Sequence, residues 1–553
     1  MNIHDATPTG SRIAILDQDI FELHQKQPGQ VSEEDLKELF RKFNLRDALI
    51  TLGRASNYIF GNEGSNNIGR TAHKEPQTGI LITQFALAYL TNLLIIGGSN
   101  DYKARNLSEK PDNWLGLSNL YSNVLIQPEL QPDFGKMDWE KFRSMMIRMY
   151  FEQMGNYQFD SLFIIARNII IFNQVVSQIE PKKFENLCIL FERETGLSIK
   201  DYLRIALAVW AASQKTSTFR IDVLTNAKIT KMEDILTEDK VKNFLKILSA
   251  DYASFRQVDI ERNRDHNPIY TKFRFNPLFV YPIIKTQSVN GTIDPYVIPN
   301  ITTYTRTAFG GFYWWFDRYF QEKEGSLKDF RDYFGSVFEE YVGLILKGVF
   351  GEQVVFKGPL YDNETREFFD WYVKYKDRIY LFECKANQFA LQSLQSGDHQ
   401  VLVDKEVGKM TYAISQVFKR LNDIPKFKEL EEFKKAEVIP YVVFLDMPFI
   451  SGDFFEPLIK GALKKIETDE KLEGLTKFNV DFLNIEDLEC YDSGIGKIDL
   501  EEIFLKLKTD QKESFKSILA KAVDGKLRNK LLDKVYRDFW SQVGDPDFEK
   551  GEG

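Results

Sequence analysis

The stretch Gly335–Lys385 decides the fold, and it contains three runs: Gly335-Ser336-Val337-Phe338-Glu339-Glu340-Tyr341-Val342, Phe368-Phe369-Asp370-Trp371 and Leu381-Phe382-Glu383-Cys384-Lys385-Ala386. In chain order they place an acid on a predicted helix, an acid on a predicted strand and Glu-x-Lys on the next strand. The segment Ile379–Ala386 is largely apolar, with aromatic and β-branched members, which predicts a buried strand. Because side chains alternate across a strand, Glu383 and Lys385 share one face and Cys384 points to the other.

A second extended run, Glu367–Tyr375, precedes this strand. The two are joined through Lys376-Asp377-Arg378, which is the length of a hairpin loop and would bring Asp370 alongside Glu383. Two carboxylates and an ammonium on one apolar sheet are costly to bury unless they pair or hold a cation. The alternative is a salt-bridged surface hairpin, and the apolar run that flanks Glu383 argues against it.

The chemistry of these side chains points to a divalent metal. Carboxylate oxygens of Asp370 and Glu383 are hard ligands of the kind that Mg²⁺ (or Mn²⁺) prefers. A metal held there could bridge a phosphodiester and lower the pKa of a bound water. Lys385 would orient that water or stabilise the transition state. A role as base is disfavoured, because the neighbouring carboxylates favour its charged form.

The motif Gly335-x-x-Phe338-Glu339, then Asp370, then Glu383-x-Lys385, resembles the PD-(D/E)XK nuclease superfamily and is nearest to restriction endonucleases of the Mrr type. The resemblance covers about residues 330–446. It implies an αβββαβ core and divalent-metal phosphodiester hydrolysis. It also implies metal ligation by Asp370 and Glu383, with Glu339 as the acid on the helix.

Three positions qualify this resemblance. Glu340 takes the place of the helix acid if the register is shifted by one. Phe369 stands where the family has a proline before the aspartate. Gln416, on a predicted helix over Val407–Leu421, resembles the glutamine that some members use to position a lysine or water, although the tyrosine that often follows it is missing.

The whole chain has 553 residues, which allows two to four domains with sizeable cores. Its net charge of −9 gives no general attraction to nucleic acid, so such a contact needs a local basic patch. The cysteines Cys188, Cys384 and Cys490 lie far apart, fit no zinc spacing and predict a reducing compartment.

One segment is long enough to span a membrane. Ile80–Gly98 has 19 residues without a charge, but polar side chains interrupt it and favour a buried core helix. The polar N-terminal segment lacks the apolar core of a secretory signal. We therefore expect a cytoplasmic protein with no membrane segment.

The predicted fold class is α+β multidomain: an α-helical N-terminal half, a restriction-endonuclease-like α/β core (αβββαβ) and a C-terminal helical extension. The predicted parts are a poorly ordered N-terminus (1–30), an α-helical domain (31–262), a junction with short strands and an aromatic helix (263–325), the nuclease core (326–450) and a C-terminal α/β extension (451–553). The aromatic run Phe309–Phe316 could stack unpaired bases, but packing on the core is the favoured interpretation.

The expected function is hydrolysis of phosphodiester bonds by Glu339, Asp370, Glu383, Lys385 and Gln416, with metal ligation by Asp370, Glu383 and Glu339. DNA is favoured over RNA because the family mostly cuts DNA, and the resemblance suggests bacterial anti-phage defence or restriction. The helical half would regulate the nuclease, through a homo-oligomer or a protein trigger. The alternatives are a catalytically inactive nuclease fold that binds nucleic acid or a protein trigger, and a helical interaction protein with the C-terminal half as scaffold.

Overall fold

The computed structural model describes residues 18–26, 31–60, 72–74, 81–99, 104–107, 116–117, 120–121, 161–226, 232–264, 274–286, 295–324, 326–388, 407–446, 452–509, 514–523 and 527–541. Helices and mixed sheets alternate along these segments. The predicted α+β class is confirmed at this level.

The N-terminal part is mainly helical, as predicted. A capping box between Ser32 and Asp35 starts its second helix, because each side chain accepts a hydrogen bond from the other residue's backbone N–H. Its elements are α1 (Gln18–His24), α2 (Glu33–Arg41), α3 (Leu45–Phe60), β1 (Ala72–Lys74), β2 (Leu81–Thr83), α4 (Gln84–Gly97), α5 (Ser161–Ile170), α6 (Leu187–Thr195), α7 (Ile199–Ser213), β3 (Thr218–Phe219), α8 (Ile221–Thr225), α9 (Glu238–Leu248), β4 (Ser249–Asp251) and α10 (Tyr252–Arg262).

Two predictions for this part have different outcomes. Within the predicted poorly ordered N-terminus (1–30), α1 is a helix whose Ile20 is fully buried in a core with α2, α3 and α4, and residues 1–17 and 27–30 lie outside the described residues. The segment Ile80–Gly98 does contain a buried helix, α4, which starts at the cap Thr83. Among the described residues, no helix has both the length and the apolar character needed to cross a bilayer.

A small sheet crosses the predicted boundary at residue 262. Its strand order is β3, β6 (Tyr296–Val297), β5 (Ile283–Lys285) and β4. Because β4 pairs with β5 and β3 with β6, the predicted helical domain and the predicted junction form one unit. The predicted junction does contain two short strands, β5 and β6, and a 3-10 turn over Pro277–Phe279, capped by Asn276, precedes β5.

The aromatic run of the junction is helical and packs inward. It lies in α11 (Ile301–Gly310) and α12 (Phe312–Tyr319), and Phe309, Phe312 and Phe316 are buried in the main core. Packing, which the sequence favoured over base stacking, is confirmed for these three rings. Trp314 is the most exposed member of the run.

The larger sheet has five strands in the order β13 (Asp481–Asn484), β12 (Glu437–Asp446), β11 (Arg378–Gln388), β10 (Trp371–Tyr375) and β7 (Val355–Lys357). The strands β7, β10 and β11 are antiparallel neighbours, while β12 and β13 run parallel to β11. Its chain order is α13 (Leu327–Phe350), β7 (Val355–Lys357), β8 (Leu360–Tyr361), β9 (Arg366–Glu367), β10 (Trp371–Tyr375), β11 (Arg378–Gln388), α14 (Gly408–Asp423), α15 (Glu431–Lys434), β12 (Glu437–Asp446), α16 (Gly452–Asp469) and β13 (Asp481–Asn484).

Both faces of this sheet are covered, which explains its near-continuous apolar strands. Phe382 and Tyr441 lie on the face that packs against α13. Leu381 and Val442 lie on the opposite face, which carries a separate core with α14. Glu383 is two residues from Leu381, so its side chain enters the α14 face.

The C-terminal part is α17 (Ile485–Cys490), α18 (Leu500–Thr509), α19 (Phe515–Val523) and α20 (Lys530–Ser541). Buried residues of α18, α19 and α20 share one hydrophobic core with α5, α6, α7, α11, α12 and α13. The predicted divisions at 262, 325 and 450 therefore do not separate independent cores among the described residues.

Candidate active site

The β10–β11 hairpin brings Asp370 and Glu383 together. Trp371 pairs with Phe382 in the antiparallel register, so Asp370, just before β10 begins, lies across from Glu383 on β11. The backbone N–H of Cys384 donates to Asp370 Oδ2. Residues directly opposite each other in an antiparallel pair project to the same face. The two carboxylates therefore lie side by side, as the alternation in the sequence predicted.

A close backbone approach holds Asp370 in this place. The N–H of Gly358, just after β7, donates to Asp370 O at 3.1 Å. A Cβ atom on Gly358 would overlap the carbonyl of Phe369. Only glycine lets the backbone at residue 358 come this near to the residue before the aspartate.

Glu383 is the centre of an ion-pair network. Its side chain is 1% exposed, and Lys385 Nζ donates to its Oε1 at 2.6 Å. The guanidinium of Arg420 donates to the other oxygen, Oε2. Lys385 Nζ also donates to Gln416 Oε1 at 2.8 Å. Both oxygens of a buried carboxylate thus have cationic partners, and the predicted residues Glu383, Lys385 and Gln416 form one connected group.

Helix α14 supplies two members of this network. Gln416 and Arg420 are four residues apart, so they lie one above the other on the same face of the helix. The Arg420 guanidinium carbon lies 5.8 Å from the centre of the Phe369 ring, close enough for a cation–π contact. Arg420 was missed in the sequence, where the only signal for it was its spacing from Gln416.

Glu339 lies on α13 at the edge of this group. Its carboxylate is 3.1 Å from Lys357 Nζ, and Lys357 also pairs with Glu340. The indole N–H of Trp371 donates to the Glu339 carbonyl at 2.8 Å, which ties α13 to the start of β10. The ring of Trp371 fits because Gly343, one turn further along α13, has no Cβ to overlap it.

The two candidate helix acids differ in their surroundings. The side chain of Glu339 is 19% exposed and that of Glu340 is 36% exposed. The charge of Glu339 also acts on Asp370, and burial raises the pKa of Glu339 above its usual range. The structure therefore favours Glu339 over Glu340 as the acid that belongs to the site.

Asp370 is the acid whose charge is not balanced. Burial raises the pKa of Asp370 to about 8, and the charges of Glu383 and Glu339 add to the shift. The Cys384 N–H and the Lys385 ammonium oppose it without cancelling it. A buried carboxyl of raised pKa, next to a second carboxylate, is characteristic of catalytic and metal sites. Cys384 is half-buried, and desolvation and the nearby carboxylates raise the pKa of its thiol, which disfavours the thiolate that a nucleophile needs.

The donors suit a hard divalent cation with few protein ligands. Asp370 and Glu383 contribute carboxylate oxygens, and the uncompensated charge of Asp370 is what a bound cation would neutralise. In the part of the chain that the structure describes, no group of three or more His, Cys, Asp and Glu side chains is arranged around a common metal position. Asp370 and Glu383 are the two carboxylates that would hold a metal, and ligation by Glu339 stays a prediction.

Comparisons of the chain with protein-family models, with characterised proteins and with solved structures give no match. The nuclease resemblance of Gly335–Lys385 therefore stays a prediction from its motif residues.

Proposed function

We propose that this protein is a metal-dependent nuclease that hydrolyses phosphodiester bonds, with DNA favoured over RNA. The observation that carries the proposal is the buried carboxylate of Asp370, which faces the Glu383–Lys385–Gln416 network without a balancing cation. The order α13, β7, β10, β11, α14, β12 supports an αβββαβ core of the restriction-endonuclease type. The setting in anti-phage defence or restriction rests on the resemblance.

Mg²⁺ or Mn²⁺ bound between Asp370 and Glu383 would supply an activated water and neutralise charge on the phosphate. Lys385 has three N–H donors, and Glu383 and Gln416 take two of them. Among the described residues no acceptor is seen for the third, which leaves it for a phosphate oxygen or for the attacking water. Because two acceptors hold the ammonium in place, Lys385 acts by position and charge, not as a base.

Arg420, like Lys385, would act through its position and its positive charge. It fixes the second oxygen of Glu383 and is itself oriented by the Phe369 ring. With Lys385 it places two positive charges at the buried end of a site that is otherwise acidic. These cations lower the repulsion that a phosphate would meet on approaching Asp370 and Glu383.

A second candidate is a nuclease-like fold that only binds nucleic acid or a protein trigger. Such a module has little need for a buried surplus carboxylate, which repels phosphate and destabilises the fold. The helical part of the chain is proposed to regulate the nuclease, as a homo-oligomer or by binding a protein trigger. Its support is the core that α5–α7 share with α13, the helix that carries Glu339.

The test is cleavage by the purified full-length protein. Single- and double-stranded DNA and RNA, linear and circular, are incubated with Mg²⁺, Mn²⁺ or EDTA. We expect cleavage with the metals, none with EDTA, and a loss of at least about 10³-fold in Asp370→Asn, Glu383→Gln and Lys385→Ala.

Two matched controls lie on the same sheet but away from the site. Lys374→Ala removes a lysine of β10 that pairs with Glu432, and Glu437→Gln removes a glutamate of β12 that pairs with Arg378. Both should cleave like the parent protein. Full activity of Glu383→Gln, or metal-independent cleavage, would contradict the proposal. Binding without any cleavage would favour the inactive module.

A further inference from the structure

Tyr412 has an unusual exposure for its place on α14. Its side chain is 59% exposed. Every other residue from Val407 to Phe418 is buried or half-buried. Residues of α14 on either side of Tyr412, such as Met410 and Ala413, belong to the core under the sheet. A large aromatic ring is thus held in solvent by a helix that is firmly packed.

The position of Tyr412 follows from the contacts of α14 with β11. Arg420 contacts Glu383, and Gln416 contacts Lys385. A step of four residues towards the N-terminus of α14 therefore matches a step of two residues towards the C-terminus of β11. These steps match in length, because four helical residues rise about 6 Å and two strand residues about 6.6 Å. Tyr412 is four residues before Gln416 on the same helix. It therefore lies about one turn beyond Lys385, over the carboxyl end of β11.

The same geometry explains why Tyr412 is exposed. Each step of four residues rotates the side chain by about 40° around the helix axis. Arg420 and Gln416 point into the site and are half-buried, while Tyr412 has turned out of the packed face. The three residues form a stripe that leads from Glu383 to the surface.

An aromatic ring in this position has a chemical use. Nucleobases stack on exposed tyrosine rings, and this contact is open to any base because each has a π-face. Paired bases in a duplex are already stacked on their neighbours and do not present a free face. In the aromatic run of α12, Phe312 and Phe316 are buried and are not available to stack on a base.

We propose that Tyr412 stacks on an unpaired base beside the phosphate that is cleaved. This makes the substrate class a nucleic acid with an unpaired nucleotide at the site, such as a single strand, a flap or a loop. The inference rests on the proposed nuclease function and adds strandedness to it.

The test is binding of labelled oligonucleotides to the full-length protein, measured by fluorescence anisotropy. All variants carry Asp370→Asn so that bound substrate is not cut, and the probes are single-stranded DNA, single-stranded RNA and blunt duplex DNA. We expect Tyr412→Ala to weaken single-strand binding about tenfold and to leave duplex binding nearly unchanged. Tyr412→Phe keeps the ring and should bind like the parent. Tyr58→Ala removes another exposed tyrosine, on α3, and should have no effect.

The outcomes separate this inference from the proposed function. If Tyr412→Ala binds single strands as well as the parent does, or if Tyr412→Phe loses as much as Tyr412→Ala, the stacking role is wrong while the nuclease proposal stands. If the parent protein neither binds nor cleaves any of the probes, both proposals fail. The relative loss on DNA and on RNA identifies which of the two the ring serves.

Discussion

Two buried arginine–glutamate pairs lie in different regions of this molecule. In the first, the Arg167 guanidinium on α5 donates to both oxygens of Glu489 on α17, at 2.7 Å each. In the second, Glu383 on β11 accepts from Arg420 and Lys385 at the candidate active site. Both glutamates are almost completely inaccessible to solvent. The pairs are alike in chemistry and in burial.

Their surroundings differ in one respect, which is the balance of charge. Around Glu489, the Tyr341 hydroxyl donates at 2.6 Å, and the nearby Glu486 has its own partner in Lys516. Burial would raise the pKa of Glu486, but the charges of Lys516 and Arg167 lower it to about 2. Around Glu383, the added carboxylate of Asp370 forms no ion pair with any residue that the structure describes.

The difference shows how a structural ion pair can be told from a functional one. Glu486, whose charge is matched by Lys516 and Arg167, has a lowered pKa, and the neighbouring Glu489 ties α5 and α17 to Tyr341 of α13. A buried carboxylate whose charge is surplus has a raised pKa and destabilises the fold until something binds. Such an arrangement persists where its ligand or its chemistry is useful.

The largest expected effect on stability is at the first pair. Arg167→Met leaves Glu489 and Glu486 buried with one cation fewer, which should lower the free energy of unfolding by about 3–5 kcal/mol. Arg420→Met is the matched control, because Lys385 still balances Glu383. Its effect should be clearly smaller. Urea denaturation of both variants measures the difference, and equal losses would show that the two pairs are equivalent.

The second prediction concerns pH and uses the opposite pKa shifts of Asp370 and Glu486. Because the pKa of Asp370 is raised in the folded protein, the stability it contributes is full below about pH 4 and is lost as the pH rises towards 8. The metal-free protein should therefore become less stable over this range, by an amount on the order of 1–3 kcal/mol. Asp370→Asn should remove the part of this slope above about pH 6, since burial also raises the pKa of Asp487, to about 6. Because the pKa of Glu486 is lowered, its contribution is lost only as the pH falls from about 4.5 towards 2.

Metal addition provides a control for this prediction. Mn²⁺ at pH 8 should raise the melting temperature of the parent protein, since a ligand that binds only the folded state stabilises it. Asp370→Asn should show little or no rise. A pH slope above about pH 6 that persists in Asp370→Asn would assign the titration to a different group.

The candidate site was predictable because most of it is local in sequence. A period of two along Ile379–Ala386 and a short loop are sufficient to place Asp370 opposite Glu383. The turn is made by Lys376, which adopts the left-handed conformation, and Asp377, and β10 and β11 pair in register on either side of it. The link from Lys385 to Gln416 was suggested by the family resemblance rather than by any local pattern.

Contacts between distant segments were not predictable. No local pattern in the sequence singles out Arg420 or Arg167. The partner of Arg167 is 322 residues away, and no period or motif connects the two positions. The same reason explains why the predicted division at residue 262 does not separate two cores. The packing of α5 and α20 into one core depends on tertiary structure, so a composition change near residue 262 did not mark a structural division.

This continuity bears on how the helical half can be tested. A fragment that begins near Asn263 would lack α5, α6 and α7 and would expose apolar residues of α13, such as Phe334 and Val337. We expect such a fragment to be unstable, so it cannot report on regulation. Substitution at the Arg167–Glu489 pair in the full-length chain is the better probe of coupling between the two halves.

The smallest effects are expected from substitutions of the neutral residue that is hydrogen-bonded to each ion pair. Tyr341→Phe removes one hydroxyl from Glu489, and Gln416→Ala removes one acceptor from Lys385. Tyr341→Phe should reduce the free energy of unfolding by about 1 kcal/mol, because a buried charge loses a hydrogen bond, and should leave cleavage unchanged.

Gln416→Ala should have the opposite profile. Lys385 remains paired with Glu383 and is half-buried, so its ammonium can recover the lost hydrogen bond from solvent and the stability should change by less than about 1 kcal/mol. Its orientation is less well fixed, however, and cleavage should fall about tenfold. Asn422→Ala, an exposed position on the same helix, is the control and should change neither quantity. If Gln416→Ala instead lowers stability and leaves cleavage intact, the network at Glu383 is structural in the same sense as the one at Glu489.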